Sequence, residues 1–194
     1  MGRQLEFDIE TVLESATDVF WAKGYKETSL QDLLRAMGLS KSSFYQTFEN
    51  KHNLFQRCLN FYGKRVMQGI MRRLDKAESA EDFIESYFSD IVEGSVVGAE
   101  KRGCMYMNTA SGLAQNDLII EGMVKDGLNR VEKVFQQVIE QGQKEGSIPL
   151  SKDPTVLSGF LTASAGGMKT MVKVGVDKEK LRNIASTIIQ SIKE

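Results

Sequence analysis

Six side chains that can donate or accept hydrogen bonds occur within seven consecutive residues, the stretch KSSFYQT at positions 41–47. The remaining residue, Phe44, is followed four positions later by Phe48. In a helix, residues four apart lie on one face, so both phenylalanines would face a core while the polar side chains face outward. Hydroxyl, amide and ammonium groups on an exposed helix face suit hydrogen bonding to base edges and phosphates.

Capping residues and apolar spacing predict the helices that must position this stretch. Asp8 precedes apolar residues at helical spacing and Gly24 follows them, which predicts a first helix. Three further helices are predicted after capping residues: Leu30–Met37 after Thr28 or Ser29, Lys41–Phe48 after Ser40, and a longer helix from Lys51 after Asn50.

The second and third predicted helices have only eight residues each, too few for a stable isolated helix in water. They must therefore pack on the first helix. The turn between them contains Gly38, which tolerates the backbone conformation that ends a helix sharply. Two helices joined by such a turn form a helix-turn-helix, whose second helix enters the major groove of DNA. The pattern predicts a DNA-binding module.

The run TDVFWAKGYKETSLQDLLRAMGLSKSSFYQTFENKHNLF resembles the N-terminal domain of the TetR family of bacterial transcriptional repressors. The likeness covers about residues 5 to 55 and rests on the phenylalanine before a Gly-Tyr turn, the TS pair, GLSKSSFYQTF and the NK pair. It implies a homodimer with two helix-turn-helix units and an effector pocket in the larger domain, whose occupancy releases double-stranded operator DNA. It also implies base-edge or phosphate contacts by Lys41, Ser42, Ser43, Gln46 and Thr47, phosphate contacts by Tyr45 and Lys51, and backbone contacts by Ser29 and Gln31.

Several of these residues have an alternative role that the sequence leaves open. Ser42 is a typical residue at a helix start, Tyr45 is suited to a core position, and Lys51 belongs to a residue type that is mostly solvated. Trp21 is expected in the core or between the first and fourth helices. His52, the single histidine, is expected to be exposed in the first turn of the fourth helix.

The rest of the chain has the apolar spacing of helices, without the strict alternation of strands. Five further helices are predicted, at about residues 81–96, 103–114, 117–143, 154–173 and 178–192. Glycines inside the eighth helix cost about 0.5–1 kcal/mol each relative to alanine, so they indicate close approach of another helix or a kink over a pocket. Apolar residues on the eighth and ninth helices predict a four-helix bundle with their two-fold copies.

The predicted fold class is therefore all-α with about nine helices. A helix-turn-helix DNA-binding domain is predicted at residues 1–52, and a helical effector-binding and dimerisation domain at residues 53–194.

Aromatic and methionine side chains are candidates for an apolar effector pocket, since methionine adapts its shape to a ligand. Core packing explains each of them equally well. Cys104 is either a buried structural thiol or a sensor of electrophiles or oxidants, because Lys101, Arg102 and a helix N-terminus would favour its thiolate. The candidates are Tyr62, Met67, Tyr87, Phe88, Cys104, Met105, Met123, Phe160 and Met168.

Composition and charge limit the other function classes. The net charge of the 194 residues is −1, but positions 33–73 hold eight basic residues and one acid, which supports a nucleic-acid partner. Two cysteines and one histidine fit a reducing cytoplasm and predict no zinc site. No membrane span, cofactor motif, metal cluster or catalytic residue is predicted, which disfavours an enzyme. A ligand-responsive repressor is favoured over a helical small-molecule carrier with little specific DNA binding.

Overall fold

The computed structural model describes residues 7–94 and 102–193. Within these two ranges the chain forms nine α-helices, short 3-10 segments and no strand, which confirms the predicted all-α class. The α-helices are α1 Ile9–Lys23, α2 Leu30–Met37, α3 Lys41–Phe48, α4 Lys51–Leu74, α5 Ala80–Gly94, α6 Met105–Ala110, α7 Leu118–Glu145, α8 Pro154–Lys173 and α9 Lys178–Lys193.

The N-terminal helices begin and end where predicted because their end groups are satisfied. The Asp8 carboxylate accepts hydrogen bonds from two backbone N–H groups of α1, and the chain leaves α1 at Gly24 with φ of 80°. At α2, the Ser29 hydroxyl accepts from the backbone N–H of Asp32, whose carboxylate accepts from the Ser29 N–H. Ser40 accepts from a backbone N–H in the first turn of α3.

The chain divides into two compact units. The first runs to Val66 and includes Asn108–Val124, while the second holds Met67–Met107 and the chain from Lys125 onward. Both α4 and α7 contribute residues to each unit. The functional domains at residues 1–52 and 53–194 follow a different boundary and stay a prediction.

In the first unit, buried aromatic rings hold the short helices in place. The rings of Phe44 and Phe48 are 0% and 1% exposed, so α3 turns both inward as predicted. Phe20 of α1 packs edge to face on Phe55 of α4, with ring centres 4.9 Å apart. Since α1 also packs on α2, the eight-residue helices gain from burial the stability that they lack alone.

In the second unit, α5 is the buried central helix that the sequence predicts. It contacts α8 and α9, which also contact each other. The ring of Phe135 of α7 packs among three buried rings of α5, with ring centres 6.1 Å from Phe83, 5.0 Å from Tyr87 and 6.3 Å from Phe88. This aromatic cluster joins α5 to α7.

The predicted sixth helix, residues 103–114, is too long. The α-helix covers only Met105–Ala110, and the 3-10 helix Leu113–Asn116 follows it. Gly112 separates the two with φ of −136° and ψ of −90°, which is outside the helical region. For the fifth helix, predicted positions 95 and 96 lie outside the described residues.

Close approach of another helix explains one of the glycines inside α8. A Cβ atom at Gly166 would lie 2.7 Å from the terminal carbon of Met107, so α6 approaches α8 closely at this point. At Gly167, by contrast, a Cβ atom would meet no heavy atom within 4 Å. None of the described helices combines the length and apolar character needed to cross a bilayer.

Candidate nucleic-acid interface

The outward face of α3 carries the polar side chains predicted to contact DNA. Burial of Phe44 and Phe48 fixes the rotation of this helix about its axis. Tyr45 is 46% exposed, so the alternative that places it in the core is wrong. The side chains of Lys41, Ser42, Tyr45 and Gln46 are exposed, and those of Ser43 and Thr47 are half-buried.

Two hydroxyls of α3 already have partners inside the helix. The Ser43 hydroxyl lies 2.9 Å from that of Ser40, the capping residue, and the Thr47 hydroxyl donates to the Ser43 carbonyl at 2.8 Å. Ser40 is therefore the residue that caps α3, and Ser42 lies on the exposed face of the helix. The contacts of the exposed and half-buried side chains of α3 with DNA stay a prediction.

The start of α2 presents two further predicted contacts, Ser29 and Gln31, both exposed. The Ser29 hydroxyl donates to the Asp32 carboxylate at 2.8 Å, and the Lys23 ammonium lies 2.9 Å from the same group. Bonds from Lys23 and Ser29 hold the pKa of Asp32 below its usual range. The negative charge at this position is thus paired with a lysine.

Lys51 is the first residue of α4, and its ammonium group reaches back to the turn between α1 and α2. It donates to the carbonyl of Tyr25 at 2.9 Å and to that of Thr28 at 2.8 Å. Asn50 caps the helix, since its side-chain oxygen accepts from the N–H of Asn53 at 2.8 Å. Lys51 is therefore not merely solvated. Its contact with phosphate stays a prediction.

The turn between α3 and α4 has an unusual backbone. Glu49 has φ of 63° and ψ of −48°, and the N–H of Asn50 donates to the carbonyl of Phe48 at 2.7 Å. A hydrogen bond between residues two apart around such a centre forms a γ-turn of the rare, strained kind. This strain lies directly at the end of the predicted recognition helix.

His52 is not an exposed residue, contrary to the prediction. Its side chain is 30% accessible, and its Nε2 lies 2.6 Å from a carboxylate oxygen of Asp117. The two residues are 65 positions apart, so no local pattern indicates the pair. Trp21, by contrast, lies where predicted, with its ring edge to face on Tyr62 of α4 at 5.2 Å.

The residues predicted to line an effector pocket fall in both units. Tyr62 and Met123 belong to the first unit and the other seven to the second. Phe160 is 43% exposed on α8. Met67 and Met123 are half-buried, while Tyr62, Tyr87, Phe88, Cys104, Met105 and Met168 are buried. The assignment of these residues to a pocket stays a prediction.

Each unit carries a cavity on its described surface. The cavity in the first unit, of about 350 Å³, lies between α1 and α2 and is lined by Val19, Ala22 and Ala36 together with charged residues. The cavity in the second unit, of about 250 Å³, is lined by Leu74, by residues 77–80 and by α7. None of the predicted pocket residues lines either cavity.

Both cysteines are free thiols, as expected for a reducing compartment. Burial raises the pKa of Cys58 to about 12. Cys104 is 8% exposed and directly precedes α6. Of the two basic residues invoked for its reactivity, Arg102 is half-buried and Lys101 lies outside the described residues. A sensor role for Cys104 stays a hypothesis.

Comparisons with known proteins show that the chain is similar to DNA-binding transcriptional regulators. Residues 12–58 match the family model described as bacterial regulatory proteins, tetR family, and residues 80–188 match the model of the tetracyclin repressor-like C-terminal domain. The HTH-type transcriptional repressor ComR of Escherichia coli K12 is 32% identical, over 97% of this chain and 90% of that protein. The uncharacterised HTH-type regulator YezE of Bacillus subtilis 168 is 27% identical, over 94% of this chain and 95% of that protein.

A solved structure shows the same fold along nearly the whole chain. A cysteine mutant of the TetR family regulator CifR, complexed with 26bp operator DNA, superposes with a TM-score of 0.86 at 24% identity. The match covers 97% of this chain and 99% of that one.

Proposed function

The chain belongs to the TetR family of bacterial transcriptional regulators, and we propose that it represses transcription by binding a near-palindromic operator as a homodimer until a small-molecule effector releases it. Its family consists of DNA-binding regulators rather than enzymes. The relative ComR is a repressor, which supports repression over activation here. Because bacterial DNA lies in the cytoplasm, we propose that the protein acts there.

The proposal rests on the outward face of α3. Two buried phenylalanines hold the helix, while Lys41, Tyr45 and Gln46 stand exposed on the other side. Side chains of these types hydrogen-bond to base edges and phosphates in a major groove. We assign operator contacts to Ser29, Gln31, Lys41, Ser42, Ser43, Tyr45, Gln46, Thr47 and Lys51.

An exposed stripe on α8 supports the homodimer. On α8, Val156 is 70% exposed and Phe160 43%, and Gly167 lies on the same stripe with open space beside it; Val174, directly after α8, is 72% exposed. A second copy of α8 would cover these residues, and Gly167 would let the two backbones approach. With the two-fold copies of α8 and α9 paired, two recognition helices about 34–36 Å apart would read half-sites one DNA turn apart.

The effector is proposed to bind among the buried aromatic and methionine side chains of the second unit. Tyr87, Phe88 and Met168 supply apolar surface, and α7 contributes its residues from Lys125 onward to that unit. To shift a two-state equilibrium from 1:99 to 99:1, the effector must prefer the DNA-free form by about 5.5 kcal/mol. No metal or cofactor enters this proposal.

The test is a gel shift with the full chain on the DNA flanking its own gene, run from low to high salt. A specific complex that competitor DNA of random sequence does not remove, and whose footprint spans two related half-sites, supports a repressor. The logarithm of the association constant should fall linearly with the logarithm of salt, as phosphates are neutralised. Absence of any specific complex at low salt would favour the alternative, a helical small-molecule carrier.

A further inference from the structure

The Asp117 carboxylate serves two helices at once. One oxygen, Oδ1, accepts from the backbone N–H groups of Ile119 and Ile120, each at 3.1 Å, and so caps α7. The other, Oδ2, accepts from Nε2 of His52 in the first turn of α4 at 2.6 Å. Hydrogen bonds from Ile120 and His52 hold the pKa of Asp117 below its usual range, so the carboxylate is charged at neutral pH.

The other nitrogen of the His52 ring is also occupied. The side-chain amide of Gln56, one turn further along α4, donates to Nδ1 at 3.0 Å. With Nε2 as the donor and Nδ1 as the acceptor, the ring satisfies both bonds. The ring is therefore fixed from two sides, and α4 is joined to the cap of α7 at a defined rotation.

The same turn of α4 supports the turn between α1 and α2. The ring of His52 meets the ring of Tyr25 edge to face at 6.4 Å, and the Lys51 ammonium lies 4.4 Å from the centre of that ring. Lys51 donates to the carbonyl of Thr28, which directly precedes the cap of α2. Asp117, His52, Tyr25, Lys51 and Thr28 thus form one connected path from the start of α7 to the start of α2.

We infer that His52 is a positioning residue for operator binding: through its bond to Asp117, it holds the first turn of α4 where Lys51 and the start of α2 meet the DNA backbone. The inference rests on the proposed function. Asp117 caps a helix whose residues beyond Val124 belong to the second unit.

The experiment compares operator affinity of full-length variants on the footprinted DNA fragment. Asp117→Ser keeps an oxygen that caps α7 but is too short to reach His52, and His52→Ala removes the ring. Each is expected to weaken operator binding about tenfold, since a hydrogen bond to a charged group is lost. The double variant should lose no more than either single one, because both remove the same bond. His52→Gln, whose amide can donate to Asp117, should stay within about twofold of wild type.

Asp153→Ser is the matched control. Asp153 caps α8 by accepting from the N–H groups of Thr155 and Val156, with the same geometry as at α7. This substitution changes a cap without touching α4, so the operator affinity should not change as long as size-exclusion chromatography shows that the variant is still a dimer. Circular dichroism at the assay temperature establishes whether each variant is folded. If Asp117→Ser is not folded, the His52 variants provide the test.

A merely structural bond would give a different result. If the variants melt at lower temperature but bind the operator as tightly as wild type while folded, the inference is overturned and the proposed function is not. A His52→Gln variant as weak as His52→Ala would also overturn it, since the bond to Asp117 would not be the cause. If wild type itself forms no specific complex, the proposed function fails and this inference fails with it.

Discussion

The ammonium nitrogen of Lys51 lies 4.4 Å from the centre of the Tyr25 ring and donates to the Tyr25 carbonyl at 2.9 Å. A second of its three N–H groups donates to Thr28, which leaves the third for a phosphate oxygen. One side chain can therefore support the fold of the DNA-binding head and contact DNA. These two roles are separable by experiment.

Replacing Lys51 by methionine is expected to lower both stability and phosphate contact. Loss of two hydrogen bonds from a half-buried ammonium should reduce the free energy of unfolding by about 1–2 kcal/mol. The slope of log K against log salt should become shallower by about 0.9, the value for one phosphate. Lys41→Met at the exposed start of α3 is the control, with the same change in slope but stability within about 0.5 kcal/mol of wild type. Urea unfolding and salt-dependent anisotropy measure the two quantities, and an unchanged unfolding free energy in Lys51→Met would contradict the supporting role.

Tyr45→Phe should weaken operator binding without affecting the fold. The residue is 46% exposed and its ring packs edge to face on Phe44, so removal of the hydroxyl leaves that packing intact. Loss of one hydrogen bond to phosphate should raise Kd by about two- to twelvefold, corresponding to about 0.5–1.5 kcal/mol. Fluorescence anisotropy at constant salt gives Kd, and thermal unfolding should show the same Tm as wild type. Equal affinity would remove Tyr45 from the set of contacts.

The sequence was sufficient to predict the first four helices because their ends are determined locally. Ser29 with Asp32, and Ser40 before Lys41, satisfy backbone groups within one turn, and such caps can be read from three or four residues. The two inward rings of α3 follow from helical spacing in the same way. The exposed polar face of the candidate site therefore follows from local sequence alone.

The contacts of α4 with distant segments could not be predicted in this way. The carbonyl partners of Lys51 lie 26 and 23 positions away, and Asp117 lies 65 positions from His52. Helical periodicity gives the face of each helix but not which distant residue meets it. The predicted sixth helix is too long for a related reason: the apolar spacing continues past Gly112, while the backbone leaves the helical region there.

Glu49→Gly should stabilise the protein. Glu49 has a positive φ at the centre of a γ-turn, a conformation that costs about 1–3 kcal/mol for a residue with a Cβ atom. Glycine removes this strain but loses more backbone entropy on folding, so we expect a net gain of about 1 kcal/mol. Glu49→Ala is the control, since it removes the same carboxylate, which accepts from Asn53, but retains the strain. Thermal unfolding at one protomer concentration should rank glycine above wild type and alanine no higher than wild type.

Cys58 should resist alkylation in the folded protein. Its pKa of about 12 means that about one thiol in ten thousand is ionised at pH 8, and the side chain is 0% exposed. Iodoacetamide at pH 8 should therefore modify Cys58 only after urea unfolding, as peptide mass spectrometry would show. In a Cys104→Ser variant, Cys58 is the one cysteine left, so iodoacetamide treatment of the folded variant should leave its operator binding unchanged. Rapid labelling of Cys58 in the folded protein would contradict its burial.

Gly127→Ala should destabilise the protein, whereas Gly122→Ala, on the same helix, should stabilise it. A Cβ atom at Gly127 would overlap the ring of Tyr106, while at Gly122 it would meet no heavy atom within 4 Å. Both changes gain about 0.5–1 kcal/mol from helix propensity, but the first also forces Tyr106 out of its packing, which typically costs about 1–3 kcal/mol. We therefore expect opposite shifts in the urea midpoint at equal protomer concentration. Equal shifts would show that the Tyr106 ring can move away without cost, in which case α6 would not be held against α7 by this contact.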